Sequence, residues 1–225
     1  MTIILTNDDG IDAPGIRALQ QAISEASTIV APCNQHSGCG HKVTTYRGIK
    51  VEQRSLTAYA VDGTPVDCTR IGIKQIAPDT KLVLSGINAG GNLGTDVYIS
   101  GTVAAVREAA IHGIPGIAIS HWIKRPLVID WDLAAQWTNR VLADLLSRPT
   151  PPGSFWNVNL PHLEPDQPEP EIILCEPSID PLPVDFKLDG DTYYYCGEYA
   201  TRDRKSGTDV DICFGGNIAV TLIKL

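Results

Sequence analysis

Thr2-Ile3-Ile4-Leu5-Thr6-Asn7-Asp8-Asp9-Gly10 opens the chain with a short apolar run that stops at two adjacent carboxylates and a glycine. Ile3 to Leu5 show no polar alternation, the pattern of a strand covered on both faces, as in a parallel sheet. On a regular strand neighbouring side chains point to opposite faces, so Asp8 and Asp9 could not share a ligand there. In a turn beyond the strand end they can converge, and Gly10 permits such a turn. Two carboxylates that close repel each other. A divalent cation, which takes oxygen ligands, is the natural compensation. Taken alone, Asp-Asp-Gly reads equally as a polar turn whose Asp residues cap the next helix.

Outward from this stretch, Ile16, Leu19 and Ile23 recur at helical spacing after Pro14, with Asp12 as the expected cap. Thr28 to Ala31 form a second short strand. Strand, helix and strand with a right-handed crossover make a parallel pair, and such sheets bind ligands beyond the carboxyl ends of their strands. Asp8 and Asp9 fall at that edge. So does the next loop, Pro32 to His41, where Ser37 beside Gly38 offers a hydroxyl with close backbone access. His36 and His41, five apart in a loop, are poor evidence for a metal pair. Val43 to Val61 reads as β-rich, with Gly48–Val51 and Ala58–Val61 as a hairpin. Thr64 and Pro65 then mark a well-made helix start.

Lys81 to Ser85 is a third core-type strand, and it opens the most unusual segment of the chain. Four glycines and two asparagines, Asn88 and Asn92, fall within the ten residues from Ser85 to Gly94. A long loop here predicts function. The segment runs on to Ser100-Gly101-Thr102 and an Ala-rich helix, Val103 to Ile111. Ser100, Gly101 and Thr102 at a helix start would cradle a phosphate with N–H donors and the helix dipole. Neither a Walker A loop nor a dinucleotide fingerprint is present. Gly116 to Ser120 reads as a fourth strand, a helix begins near Asp132, and Phe155 to Pro161 form a fifth strand whose exit carries Asn157 and Asn159. Residues 161–185 are rich in proline and acids, the mark of an extended or hairpin excursion. Tyr193-Tyr194-Tyr195 reads as a strand, packed in a sheet or lining an apolar slot. Thr208 to Asp211 begin a short helix and Ile218 to Ile223 a last strand. The expected fold is α/β: a Rossmann-like three-layer sandwich with a mainly parallel central sheet and a smaller β-rich C-terminal extension. Residues 1–160 form the catalytic core, and 161–225 form an extension with a hairpin that returns to the core sheet.

The chain has 225 residues, 43% of them hydrophobic, which is ordinary for a globular protein. Its formal charge of −8 disfavours broad binding to nucleic-acid backbones. No apolar run approaches the roughly 18–20 residues of a membrane span, and no secretory signal is seen. Six cysteines without a Cys-x-x-Cys pair predict mostly reduced core thiols and a cytoplasmic compartment. A haloacid-dehalogenase-like mechanism is disfavoured, because Asn7 stands at the nucleophile position and cannot form a phospho-aspartate. The same residues are also compatible with a nucleotide-binding module without catalysis, or with a structural protein in which Asp8 and Asp9 are plain caps.

Over most of its length the chain resembles the SurE family, the survival protein E nucleotidases. The resemblance is carried by Thr6–Gly10 with Ala13-Pro14-Gly15, and by Ala31-Pro32 with Ser37-Gly38. Further on, Asp62–Pro65, Ser85–Asn88, Gly90, Asn92, Gly94, Ser100–Val103, Asn157–Asn159 and the Gly207–Thr221 region match in the same order. It implies a metal-dependent phosphatase acting on nucleoside 5′- and 3′-monophosphates. Asp8, Asp9, Ser37 and Asn92 would be ligands of one Mg²⁺ or Mn²⁺ ion per subunit. Asp8, Asn88, Ser100, Gly101 and Thr102 would carry catalysis, Asn88 by positioning and the last three as donors to the phosphate. It also implies a homodimer or homotetramer, with a C-terminal hairpin reaching a partner and no stable nucleic-acid or membrane complex. His41-Lys42 stands where members of that family usually carry small polar residues.

Overall fold

In a computed structural model describing residues 2–164 and 166–225, β1 (Thr2–Thr6) lies near the middle of the main sheet. The chain continues through α1 (Pro14–Gln21), β2 (Ser27–Pro32), β3 (Val51–Ser55), β4 (Ala58–Val61) and α2 (Pro65–Ile71). Next come β5 (Thr80–Ala89), α3 (Gly101–Ile111), β6 (Gly116–His121), α4 (Trp131–Leu145) and β7 (Ser154–Leu160). The last elements are β8 (Ile172–Leu174), β9 (Phe186–Asp189), β10 (Thr192–Tyr195), α5 (Asp209–Phe214) and β11 (Ile218–Lys224). Nine described strands form one sheet in the order β3-β4-β2-β1-β5-β6-β7-β11-β8. Its pairs are parallel except β3–β4 and β7–β11. After β1 the chain builds outward to β2 and β4, then returns to place β5 on the other side of β1. The direction of winding therefore reverses between β1 and β5, the position at which open α/β sheets bind ligands.

Alternation along each central strand feeds two cores. Ile3 and Leu5 face one way, toward α1 and α4, with Ile16, Leu19 and Trp137. Ile4 faces the other way, toward α2 and α3, with Cys68, Val103 and Val106. The result is the expected three-layer α/β architecture. A third cluster of Leu93, Trp122, Val210, Cys213 and Ala219 joins the glycine-rich segment to α5 and β11.

Several local expectations are corrected. The N-cap of α1 is Ala13, without a side-chain bond, and Asp12 is exposed; Pro14 has no N–H to be capped. Thr64 does cap α2, in a reciprocal box with Asp67. The first hairpin starts at Val51 rather than Gly48. β5 does not end at Ser85: it runs to Ala89, because Ile87 is fully buried and pulls the segment into the core. Its pairing with β6 shifts register between Ser85 and Asn88, the kind of irregularity that re-aims side chains. The hairpin of the extension is β9–β10, beyond residues 161–185. Tyr193, Tyr194 and Tyr195 are 68%, 55% and 56% exposed, so they neither pack in the main sheet nor line a slot. All six cysteines are free, and only Cys68 and Cys213 are buried.

Candidate functional site

The turn after β1 is closed by Asn7. Its side-chain amide donates to Gly10 O at 2.8 Å, and the Gly10 N–H donates back to Asn7 Oδ1 at 3.2 Å. Gly10 takes φ +105°, which L side chains rarely adopt. The second loop is tied to this turn, as the His36 N–H donates to Asp8 O at 2.7 Å. Residues from two strand ends therefore meet in one rigid corner.

Asp8 is 4% exposed and lies against the start of α3. The Thr102 hydroxyl donates to Asp8 Oδ1. A Cβ added at Gly101 would fall 2.8 Å from the Asp8 Cβ and 3.0 Å from Cys39 Sγ, so glycine is what lets the helix start approach. Ser100 caps α3 through Val103 N–H at 3.1 Å. The first N–H groups of a helix have no partner inside it: that of Thr102 turns to the Asp8 carboxyl, and that of Gly101 points out of the helix end. Asp9 Oδ2 accepts from the Ala89 N–H at 3.1 Å, bridging the divide between β1 and β5. Burial, with the Asp9 charge adding to it, pushes the Asp8 carboxyl up to about 6, opposed by the Thr102 hydrogen bond. Burial also raises Asp9.

Asn92 is held from three sides. Its side-chain amide donates to Ser120 Oγ at 2.7 Å, and its backbone N–H donates to Asn159 Oδ1 at 2.7 Å. Its carbonyl accepts from Asn157 and Asn159 at 2.9 and 3.0 Å. The side-chain oxygen of Asn92 is thereby oriented opposite its committed amide. Asn88 spends its amide on Gly90 O at 2.7 Å. Ser37 is exposed, and its hydroxyl accepts from Gln35 Nε2 at 2.9 Å. Asp8, Gly101 and Thr102 are thus in direct contact and the Ser37 loop is tied to Asp8, while Asn92 is anchored on Ser120, Asn157 and Asn159 instead. Among the described residues no three His, Cys, Asp or Glu side chains gather as a metal cluster. A cation here would have two carboxylates and otherwise neutral oxygens.

Residues that sequence reasoning did not assign hold the glycine-rich segment from behind. Buried Asp96 accepts from the Leu93 N–H at 3.0 Å, from the Tyr199 hydroxyl at 2.5 Å and from Arg202 at 2.8 Å. Asp209 accepts from the Gly94 N–H at 2.7 Å and the Ser178 N–H at 2.8 Å. The sequence signals for Asp209 were a helix start and its place in the Gly207–Thr221 match, and nothing local marked Arg202. His41, the unusual residue of the second loop, bonds Glu108 of α3 at 2.8 Å. Glu108 also takes Arg70 and His112, so His41 serves as a strut. A cavity of about 400 Å³ beside Ile3, Leu82 and Trp156 is lined by none of these site residues.

A family model described as Survival protein SurE matches residues 3–178. A protein of Nostoc sp. (strain PCC 7120) is 62% identical over 226 residues, with 100% of both chains covered. The 5′-nucleotidase SurE of Paramagnetospirillum magneticum is 37% identical over 230 residues, covering 98% of this chain and 88% of that one. The crystal structure of the SurE protein from Aquifex aeolicus superposes with a TM-score of 0.87 at 32% identity, covering 100% of this chain and 93% of the other. With its sheet order, its paired aspartates and these likenesses all pointing one way, the chain belongs to the SurE family.

Proposed function

We propose that this chain is a metal-dependent phosphomonoesterase that hydrolyses nucleoside 5′- and 3′-monophosphates to nucleoside and phosphate. The observation that carries the proposal is Asp8 lying against the first turn of α3, a carboxylate beside a helix N-terminus. The names of the SurE relatives support the nucleotide as substrate. The donors fit one Mg²⁺ or Mn²⁺ ion: Asp8 and Asp9 are desolvated and Asp8 feels the charge of Asp9, a strain that a cation relieves. Asp8, Asp9, Ser37 Oγ and Asn92 Oδ1 would hold it. When bound, such an ion supplies Lewis acidity to a phosphoryl oxygen and acidifies a water.

The chain's own groups then have defined tasks. The Gly101 N–H and the Ser100 hydroxyl bind the non-bridging phosphoryl oxygens, with the Thr102 N–H shared between them and Asp8, aided by the helix dipole. The Thr102 hydroxyl is committed to Asp8 and orients that carboxylate. Asp8 positions the attacking water opposite the ester oxygen, and Asn88 and Asn92 hold the surrounding loop in register. The water oxygen bonds to phosphorus as the ester P–O bond breaks, and the proton lost by the water reaches the departing nucleoside hydroxyl through solvent. The same reading takes the protein as a cytoplasmic homodimer or homotetramer. The exposed Phe186, Tyr193 and Tyr195 of the β9–β10 hairpin supply a contact surface, which sedimentation would test. Among the described residues no helix is long and apolar enough to cross a membrane.

Phosphate release from a panel of 5′- and 3′-nucleoside monophosphates, with Mn²⁺, with Mg²⁺ and with chelator, tests the assignment. Release that chelator abolishes is the expected result. A folded protein that releases no phosphate with either metal overturns it.

A further inference from the structure

An open cleft of about 600 Å³ adjoins the glycine-rich segment, with Gly90, Gly91, Trp122, Arg125, Glu198 and Tyr199 in its wall. That volume falls within the range of about 300–1,000 Å³ common for small-molecule sites. Ala89, the neighbour of Gly90, donates its N–H to Asp9 Oδ2 at 3.1 Å, so the cleft adjoins the carboxylate side of the site. Both aromatic rings in its wall are immobilised from behind. Trp122 stacks on Phe214 at 4.1 Å between centroids, with 19° between planes. Tyr199 has its hydroxyl anchored on Asp96 at 2.5 Å, and Arg202 stacks on its ring at 5.0 Å. Held rings of this kind lose little conformational freedom when a flat ligand settles on them. Arg125, Lys124 and Glu198 add both charge signs around a mostly apolar floor.

We propose that this cleft takes the planar base of the mononucleotide whose phosphate sits at Ser100–Thr102, with Tyr199 as the stacking platform. The proposal rests on the nucleotidase reading and gives it a base-binding subsite. Bases stack on aromatic side chains whatever their hydrogen-bonding edge, so the platform recognises the class of substrate rather than one nucleotide.

The test compares AMP with ribose 5-phosphate, which carries the phosphate and sugar but no base, in the Mn²⁺-loaded wild type, Tyr199→Leu and Tyr199→Phe. Adenosine binding to the same proteins is measured by calorimetry. Tyr199→Leu is expected to raise KM for AMP about tenfold and weaken adenosine similarly, the scale of one lost stacking contact. Ribose 5-phosphate turnover falls no further in Tyr199→Leu than in Tyr199→Phe, which keeps the ring and loses only the hydroxyl bond to Asp96, and Tyr199→Phe keeps the wild-type ratio of AMP to ribose 5-phosphate. Equal losses on AMP and ribose 5-phosphate would make Tyr199 a structural residue and overturn the proposal, as would a Tyr199→Leu protein with unchanged KM and adenosine binding. A wild type that binds adenosine through Tyr199 yet releases no phosphate would keep the cleft and overturn the nucleotidase reading. A wild type that does neither overturns both.

Discussion

The Asn92 side-chain amide donates to Ser120 Oγ at 2.7 Å, joining the glycine-rich segment to the carboxyl end of β6. Both residues are buried, Ser120 completely. The bond fixes which end of the Asn92 amide faces the site. Ser120→Ala leaves that N–H without its acceptor and frees the side chain to turn over. A cost of about 1–3 kcal/mol in stability is expected from the unpaired buried donor. Metal affinity should fall about 10–100-fold, as for other supporting partners of a metal ligand. Thermal unfolding with and without Mn²⁺ measures both. An unchanged metal-dependent shift would remove Asn92 from the ligand set.

Asp8 carries a buried carboxylate beside a second one, an arrangement that costs stability when no cation is present. Asp8→Asn removes the repulsion and keeps the shape. The chelated variant should melt no lower than the chelated wild type, while phosphate release falls by at least about a hundredfold. Melting curves and turnover on the same preparations separate the two effects. Near-normal turnover in the folded variant sinks the ligand assignment.

Gly101 is the point of closest approach between α3 and the turn after β1. In Gly101→Ala the new methyl meets the Asp8 Cβ at 2.8 Å and Cys39 Sγ at 3.0 Å. Alanine is the better helix former by about 1 kcal/mol, but overpacking of a close contact costs about 1–3 kcal/mol. The sum should be a slightly less stable protein whose Asp8 is displaced. Its kcat falls more than its thermal midpoint would suggest. A fully active Gly101→Ala would mean that the turn relaxes away from the helix without consequence.

His121 opposes folding on mild acidification. Burial pushes its imidazole down from 6.5 to about 4, against a hydrogen bond it donates to Trp122 O at 2.7 Å. His162 packs edge-on at 4.9 Å and adds its charge when protonated. Below about pH 6.5 the unfolded chain takes up a proton that the folded chain refuses until about pH 4, so folding weakens as pH falls through that window. The His121 share is a loss of about 3 kcal/mol between neutral pH and pH 4, and it is opposed by Asp8, whose raised carboxyl takes up its proton in the folded chain first. Denaturant titrations of the wild type and His121→Gln across this range isolate that share: the variant should keep more of its stability as the pH falls.

Much was legible along the chain. The apolar runs of β1, β2, β6 and β7, the cap at Thr64 and the helix start at Ser100 follow from local chemistry: side-chain periodicity, a hydroxyl before a helix, a glycine where the backbone turns. Local chemistry also marked carboxylates, hydroxyls and amides at strand ends as candidates, while the ligand set with Ser37 and Asn92 came from the family resemblance. What the sequence could not place were relations across long loops. That β5 continues to Ala89 depends on Ile87 finding the core. That Tyr193 to Tyr195 stand exposed depends on where the hairpin leaves the sheet. The clamp of Asp96 on Arg202 spans 106 residues, and that of Asp209 on Gly94 spans 115. By itself the sequence determined the elements and the chemistry at their ends, because those are set by neighbours within a few residues. Only the tertiary structure decided which ends meet, because winding reverses between β1 and β5 and brings Asp9 to Ala89 there. Burial then turns two ordinary carboxylates into a strained pair.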